Sequence, residues 1–589
     1  MPVDSFTAVE GVVARPRYIT AGDRPLFAWH HLPPPELRRG AGIVLCPALG
    51  YEYMSSYRAC RMLAERLAAI GFDTVRLDYD GTGNSAGGPE DPDRAGAWVR
   101  SVVRAIAEAR QLSSVGPVAL IGLRAGALLA LQAAAAAGGV ERLVLWSPFS
   151  SGRAYVRELK AITRLSGQDE PGEAEDDSAI NAEGHIFTLE TLDSLARWTM
   201  DDISVRPARD VLLVDRDDRP VEQLVGARLQ SLGSAVTRIH TRGTAELLLP
   251  PHVAKVPENT LDDIATWFRP WRESSAPPHA QPAIPDEVRS AQSIRETYSE
   301  RAVRFGADDR LFGILAGPAG DSSMAPAIVF FNTGGGHLVG PHRLYVSLAR
   351  QWAAAGHLVL RFDLGGLGDS LPPYPDRSLE SVAYPGHMLD DARAAIALVR
   401  REAPRRRVIA AGLCSGGWLA YRAASEGLAV DAIVSVNPPL YLLDGDQQWL
   451  REERTLERYQ QSMRDPSRWA KALRGDVSYA TFTRAAAGVF ARHVAIRLGG
   501  VFGDPPDGLA KDLCTIAARG INSLFVFSRG DNGLAYFQLH AQPALRRPGM
   551  RARVRHMVVE DSGHAFRPRA AQQTLRNILS DFVRTEAGN

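Results

Sequence analysis

Polar and apolar residues alternate across positions 13–32 and again across 298–317, each stretch broken by a turn. A period of two around a turn predicts an opening antiparallel hairpin at both places. Each is followed by a continuous apolar run, Gly40 to Cys46 and Ala325 to Phe331, as in a strand buried on both faces. A Gly-containing loop and a predicted helix come next (Arg58 to Ile70; Arg343 to Ala355). A second apolar run (Thr74 to Leu77; Leu358 to Phe362) then ends in D-x-x-G-x-G-x-S, at Asp78 to Ser85 and at Asp363 to Ser370. After a further helix, a short apolar strand (Val118 to Ile121; Val408 to Ala411) runs into a Gly-framed turn and an Ala/Leu-rich helix. Strands alternating with helices predict an α/β chain whose sheets are mostly parallel and covered on both faces.

The two passes are one pattern repeated. Leu26, Phe27, Ile43, Gly50, Arg58, Asp78, Gly83 and Ser85 each meet an identical residue 285 positions on, at Leu311, Phe312, Ile328, Gly335, Arg343, Asp363, Gly368 and Ser370. From Gly122 and Gly412 onward the offset is 290. A domain-sized period excludes a solenoid. The segment Glu273 to Pro285, with four prolines among Ser, Ala and His, reads as a linker. The division is therefore a first domain at 1–272, a linker at 273–286 and a second domain at 287–589. Past Pro148 and Pro438 the alternation lapses, and both copies carry an insertion above the carboxyl edge of the sheet, where α/β ligand sites lie. In the second domain this cap spans about 440–520.

Charge and cysteine content narrow the function classes. With 68 basic and 67 acidic residues the net charge is +1, so nothing points to nucleic acid. Four cysteines, scattered through 589 residues, fit neither a disulfide framework nor a zinc site, and no cofactor or metal is implied. No run is long enough to span a membrane, and no signal-peptide core opens the chain, so a cytoplasmic protein is expected.

The chemistry concentrates at the Gly-framed turn. In the second copy it reads Gly412-Leu413-Cys414-Ser415-Gly416, a nucleophile elbow in which flanking glycines let strand and helix approach while the central side chain projects. Cys414 could be a small core residue, but partners arrive in the chain order that a triad needs. Asp531 follows one strand, as orienting acid, and His564 follows another, as base. In this register the Ser415 backbone N–H is one oxyanion donor. The loop Asn332-Thr333-Gly334-Gly335-Gly336 supplies the second, assigned to Gly334. His337 and His342 beyond it read as structural or surface residues. The D-x-x-G-x-G-x-S turns occur in both copies and read as structural.

The first copy has Gly122-Leu123-Arg124-Ala125-Gly126, and a guanidinium cannot attack a carbonyl. Asp218 and His252 align with Asp531 and His564, so this is a degenerate site of Arg124, Asp218 and His252. Arg124 is expected to pair with Asp215, Asp217 or Asp218, or to bind an anion. The basic runs Arg405 to Arg407 and Arg464 to Arg474 read as solvated faces, or as docking surfaces for an acidic acyl carrier protein.

These motifs resemble the α/β-hydrolase superfamily over nearly the whole of both halves. Gly340-Pro341-His342-Arg343, Arg361-Phe362-Asp363 and the Cys414 elbow are similar to the serine-aminopeptidase-like hydrolases associated with exosortase systems. The run Gly412 to Gly417 resembles the G-x-C-x-G-G elbow of dienelactone hydrolase. The resemblance implies acyl chemistry through a covalent intermediate. The expectation is thus a cysteine-nucleophile acyl hydrolase or acyltransferase acting on an ester or thioester. Coenzyme A or an acyl carrier protein is a candidate donor, and the first domain is a pseudo-hydrolase. The alternative is a non-catalytic protein that binds acyl ligands or a partner.

Overall fold

The alternating stretches form the expected hairpins. In a computed structural model describing residues 9–19, 24–113, 116–166, 179–216, 223–271, 298–319, 324–372, 387–440 and 508–588, β1 (Val13–Ile19) pairs antiparallel with β2 (Leu26–Leu32). The first domain continues with β3 (Gly42–Cys46), β4 (Asp73–Leu77), β5 (Val118–Leu123), β6 (Val140–Trp146), a separate hairpin of β7 (Ala179–Ala182) and β8 (His185–Thr188), β9 (Asp210–Asp215) and β10 (Ala235–His240). The second contains β11 (Tyr298–Phe305), β12 (Leu311–Pro318), β13 (Ala327–Phe331), β14 (Leu358–Phe362), β15 (Val408–Leu413), β16 (Ala432–Val436), β17 (Asn522–Ser528) and β18 (Val554–Val559).

Two eight-stranded sheets result, ordered β1-β2-β4-β3-β5-β6-β9-β10 and β11-β12-β14-β13-β15-β16-β17-β18. Position for position the orders are the same, so the repeat seen in the sequence is a repeat of topology. From β4 and β14 onward neighbouring strands run parallel, and the apolar strands are buried on both faces. Helices Tyr51–Ala69 and Glu258–Phe268 cover one face of the first sheet, and Arg94–Leu112 and Ala125–Ala137 the other. Of the region expected to form the second cap, residues 441–507 lie outside the described residues. Helix Leu509–Ala518 is described, and it packs Leu509, Leu513 and Ile516 into the core beneath the sheet.

The D-x-x-G-x-G-x-S turns are structural, as expected, and they also join the domains. Asp78 accepts the Asn84 N–H at 2.8 Å, and Asp363 accepts the Asp369 N–H at 3.0 Å. A Cβ on Gly83 or Gly368 would stand 2.2 or 2.1 Å from the enclosed carboxylate, which is why glycine is needed there. Arg361 donates to Asn84 Oδ1 at 2.9 Å, and Arg76 donates to Asp369 Oδ1 at 2.5 Å. Positions 76 and 361, and 84 and 369, are repeat equivalents. The domains therefore meet about a pseudo-two-fold, as in an isologous dimer. Trp29 and Phe312 fill the centre with ring centroids 4.8 Å apart.

Several histidines lie in this interface, His337 buried and His185 and His342 half-buried. Burial lowers His185 and His337 to about 3 and His342 to about 4, so each is neutral in the folded state. In the unfolded chain each titrates near its ordinary value of about 6.5. Protonation is then linked to unfolding: stability is complete above pH ~6.5 and is lost progressively as pH falls towards the folded values. Denaturation midpoints should fall between pH 7 and 4.5, and His337→Phe should flatten part of that slope. A flat profile would contradict burial of the neutral rings.

Candidate active site

The elbow geometry survives in both domains. Cys414 has φ 56° and ψ −120°, and Arg124 has φ 56° and ψ −119°. Such a left-handed backbone is costly for a non-glycine residue and persists only where its surroundings enforce it. The flanking glycines supply that enforcement: a Cβ on Gly412 would lie 2.3 Å from the Gly416 carbonyl carbon, and one on Gly416 would lie 2.4 Å from the Phe331 oxygen. Tyr345 braces the turn from behind. Its hydroxyl accepts the Leu413 N–H at 2.9 Å and meets Thr333 Oγ1 at 3.0 Å.

Cys414 is partly exposed and sits at the N-terminus of helix Ser415–Ser425. The other cysteines offer no comparable setting. Burial raises the thiols of Cys46, Cys60 and Cys514, that of Cys60 to about 11.

The structure brings Cys414, His564 and Asp531 together. Asp531 caps helix Asn532–His540, with its Oδ1 accepting the Gly533 N–H at 2.8 Å. Its Oδ2 is 2.5 Å from His564 Nδ1, which leaves Nε2 for the hydrogen bond to Cys414. Burial opposes charge on His564, but the hydrogen bonds to Asp531 and Cys414 and the negative charge on both prevail, and its pKa is raised to about 10. The imidazole thus stands between the Asp531 carboxylate and the Cys414 sulfur, in the order that a relay requires. The imidazole side chain remains 49% exposed, so the triad is open to an incoming substrate.

Asn437 was not apparent from the sequence as a site residue. It is buried at φ 42°, its Oδ1 accepts the Ser528 N–H at 2.8 Å, and its Nδ2 donates to the His564 carbonyl at 2.8 Å. It thus ties the end of β17, which carries Asp531, to the loop that carries His564. The only sequence signal was an Asn-Pro pair directly after a strand, and asparagine tolerates left-handed backbone better than most residues.

The expected second oxyanion donor is already engaged. The Gly334 N–H donates to Ser415 Oγ at 2.8 Å, and Ser415 Oγ lies 3.3 Å from the Asn332 carbonyl. A substrate oxyanion can use that N–H only after the hydroxyl yields. Breaking such a bond costs about 0.5–1.5 kcal/mol, so Ser415→Ala should raise kcat/KM by about two- to tenfold. A tenfold fall would instead identify the hydroxyl itself as an oxyanion donor.

Among the described residues, the elbow of the first domain is paired with carboxylates and not with a histidine. Arg124, buried at 3% exposure, donates from Nε to Glu52 at 2.9 Å and pairs through Nη2 with Glu158. Its guanidinium also lies 4.2 Å from the centre of the Phe149 ring. Asp215, an expected partner, is instead paired with Arg238 and with His240 at 2.8 Å. Asp217 and Asp218 lie outside the described residues. His252 is exposed in a surface turn. The carboxylates that hold Arg124 come from helix Tyr51–Ala69 and from the first cap, neither of which belongs to the triad pattern.

The basic runs offer less of a docking face than their composition suggests. Arg406 is buried and donates to the Gly356 carbonyl, and Arg407 pairs with Glu586 at 2.9 Å. Arg464 to Arg474 lie outside the described residues. Among the described residues no group of His, Cys, Asp and Glu could hold a metal ion, and no helix is long and apolar enough to cross a membrane.

Comparison with known proteins agrees with this architecture. Residues 43–168 match the family model "Serine aminopeptidase, S33", and residues 328–575 match "Alpha/beta hydrolase family". No curated protein matches the chain. Similar solved structures include Est1E from Butyrivibrio proteoclasticus with ferulic acid bound, at 17% identity over 43% of this chain and 96% of that one, with a TM-score of 0.32. The esterase Pf2001 from Pyrococcus furiosus is 13% identical over 49% of this chain and 93% of that one, also at 0.32. An α/β serine hydrolase without a lid from Xanthomonas campestris is 17% identical over 46% and 98%, at 0.28.

Proposed function

This chain belongs to the α/β-hydrolase superfamily in both of its halves, and on that premise we propose that the second half alone performs acyl chemistry, with Cys414 as nucleophile. The observation that carries the reading is the continuous relay from Asp531 through His564 to Cys414. In the first step the Cys414 thiolate attacks the carbonyl of an ester or thioester. The developing oxyanion is met by the Ser415 N–H and, once the Ser415 hydroxyl has rotated, by the Gly334 N–H. His564, protonated, hands its proton to the departing alkoxide or thiolate, leaving a thioester on Cys414. In the second step neutral His564 takes a proton from water, or from an acceptor hydroxyl or amine, as that nucleophile attacks the acyl-enzyme. The intermediate collapses to release Cys414. Hydrolysis and transfer share every step except the identity of this second nucleophile.

Donor thioesters of coenzyme A or an acyl carrier protein fit this chemistry, because thiolates exchange readily with thioesters. The first domain, with Arg124 locked between carboxylates, is a pseudo-hydrolase. One observation favours the non-catalytic alternative, in which the pocket only binds an acyl ligand: the oxyanion donor of Gly334 is occupied.

Intact-protein mass after incubation with activated acyl esters and acyl thioesters separates the two readings. Wild type should gain the acyl mass and Cys414→Ala should not. Absence of both adduct and turnover across the panel would leave the binding protein as the better description.

A further inference from the structure

Two loops of the second domain carry the proposed chemistry, and both rest on the first domain. The loop around His564 contains two non-glycine residues at positive φ, Asp561 at 48° and Phe566 at 52°. A backbone of that kind needs outside support. The support comes from the β7–β8 hairpin, which lies in the cap of the first domain. Asn181 Nδ2 donates to the Arg567 carbonyl at 2.7 Å, and Glu183 pairs with the Arg567 guanidinium at 2.7 Å. At the hairpin turn Gly184 lies flat on the His342 ring, where a Cβ would stand 1.9 Å from Cε1. His342 Nε2 in turn lies 3.0 Å from the carbonyl of Ala565, the residue next to His564.

The oxyanion loop is backed in the same way. Tyr57 stacks on His337 with centroids 3.9 Å apart and planes at 16°. The Pro251 carbonyl closes on Gly335, where a Cβ would be 2.7 Å away. A two-stranded hairpin is marginal by itself; β7 and β8 are held by burial of Ala182 and Phe187 in the first domain's core, and their turn docks on the second domain.

We propose that the first domain is a positioning partner for catalysis in the second, its β7–β8 hairpin fixing the His564 loop through Arg567 and Ala565. This explains a domain that keeps the complete fold without a nucleophile. The proposal rests on the reading of Cys414 and His564 as a catalytic pair. A displacement of an imidazole by about 1 Å is enough to cost on the order of 10²-fold in rate.

The test uses the full-length chain and reads both kcat and the pH profile of Cys414 alkylation by iodoacetamide, which needs no substrate. In Asn181→Ala/Glu183→Gln, kcat should fall at least tenfold with KM within about threefold, and the alkylation profile should move towards that of an unpaired thiol. Should the double variant misfold, Glu183→Arg alone should lower kcat, and adding Arg567→Glu should restore it. Unchanged kcat and an unchanged alkylation profile in a folded variant would overturn the proposal. If wild-type Cys414 already titrates as an unpaired thiol, the catalytic reading itself fails and the proposal with it. The two failures are therefore distinguishable.

Discussion

Replacing Cys414 by serine is expected to cost at least about 10³-fold in kcat/KM and to reverse the pH dependence of what activity remains. In the wild type His564, with its pKa raised to about 10, is already protonated at neutral pH. In the proposed mechanism Cys414 attacks as the thiolate, and His564 serves first as an acid. Activity should be sustained through neutral pH and decline as pH rises through about 10, where the imidazolium is lost. A serine hydroxyl does not ionise in this range. It must be deprotonated during attack by a neutral imidazole, and the Cys414 contributions that hold His564 charged disappear with the sulfur. The residual activity of Cys414→Ser should therefore rise with pH where the wild type is flat. Profiles of kcat/KM from pH 6 to 11 for both proteins would check this. Equal activity and parallel profiles would show that the site does not operate as a thiolate–imidazolium pair.

The second large effect concerns stability, in the domain without a nucleophile. Arg124 and Glu52 are each 3% exposed and bonded to one another, and Glu158 completes the cluster. Burial pushes the Glu52 carboxyl up and Arg124 pulls it back, while the two carboxylates keep the guanidinium charged. Removing one member of such a buried pair leaves its partner desolvated and uncompensated, at a cost of about 3–5 kcal/mol. Arg124→Ser should show that loss in chemical denaturation. It should gain no esterase activity, because Glu52 and Glu158 would face the new hydroxyl and oppose a developing oxyanion. The double variant Arg124→Leu/Glu52→Leu should recover most of the stability, since a buried ion pair exchanged for apolar groups of similar size is often close to neutral. Loss of less than ~1 kcal/mol in Arg124→Ser would mean that the cluster is hydrated. Gain of esterase activity would mean that the degenerate site can still be rebuilt.

Much of this protein could be read without coordinates, and the reason is local. The strands themselves, the elbow and the D-x-x-G-x-G-x-S turns are set by short-range rules: hydrophobic period, and glycine wherever a Cβ would collide. Gly412, Gly416, Gly83 and Gly368 each show such a collision. The association of Cys414, Asp531 and His564 could also be inferred, because parallel strands deliver their carboxyl ends to one edge and each residue directly follows a strand or its turn.

What the sequence withheld depends on side chains that meet across long separations. Arg124 could not be assigned to Glu52 and Glu158 rather than to the nearby aspartates, because charge pairing is non-directional and many carboxylates were available. The engagement of Gly334 by Ser415 required the rotamer of a single hydroxyl. Asn437 acts through an amide that bridges Ser528 and His564, residues far from it in the chain. The largest such difference is the joining of the domains. The 285-residue repeat established that there are two copies, but not that the turns of each copy would be clasped by arginines of the other. The sequence alone determined two copies of one fold and a candidate nucleophile in one of them. Tertiary structure decided that the first half leans on the loop of the second that carries His564, because packing complementarity between distant surfaces leaves no periodic trace along the chain.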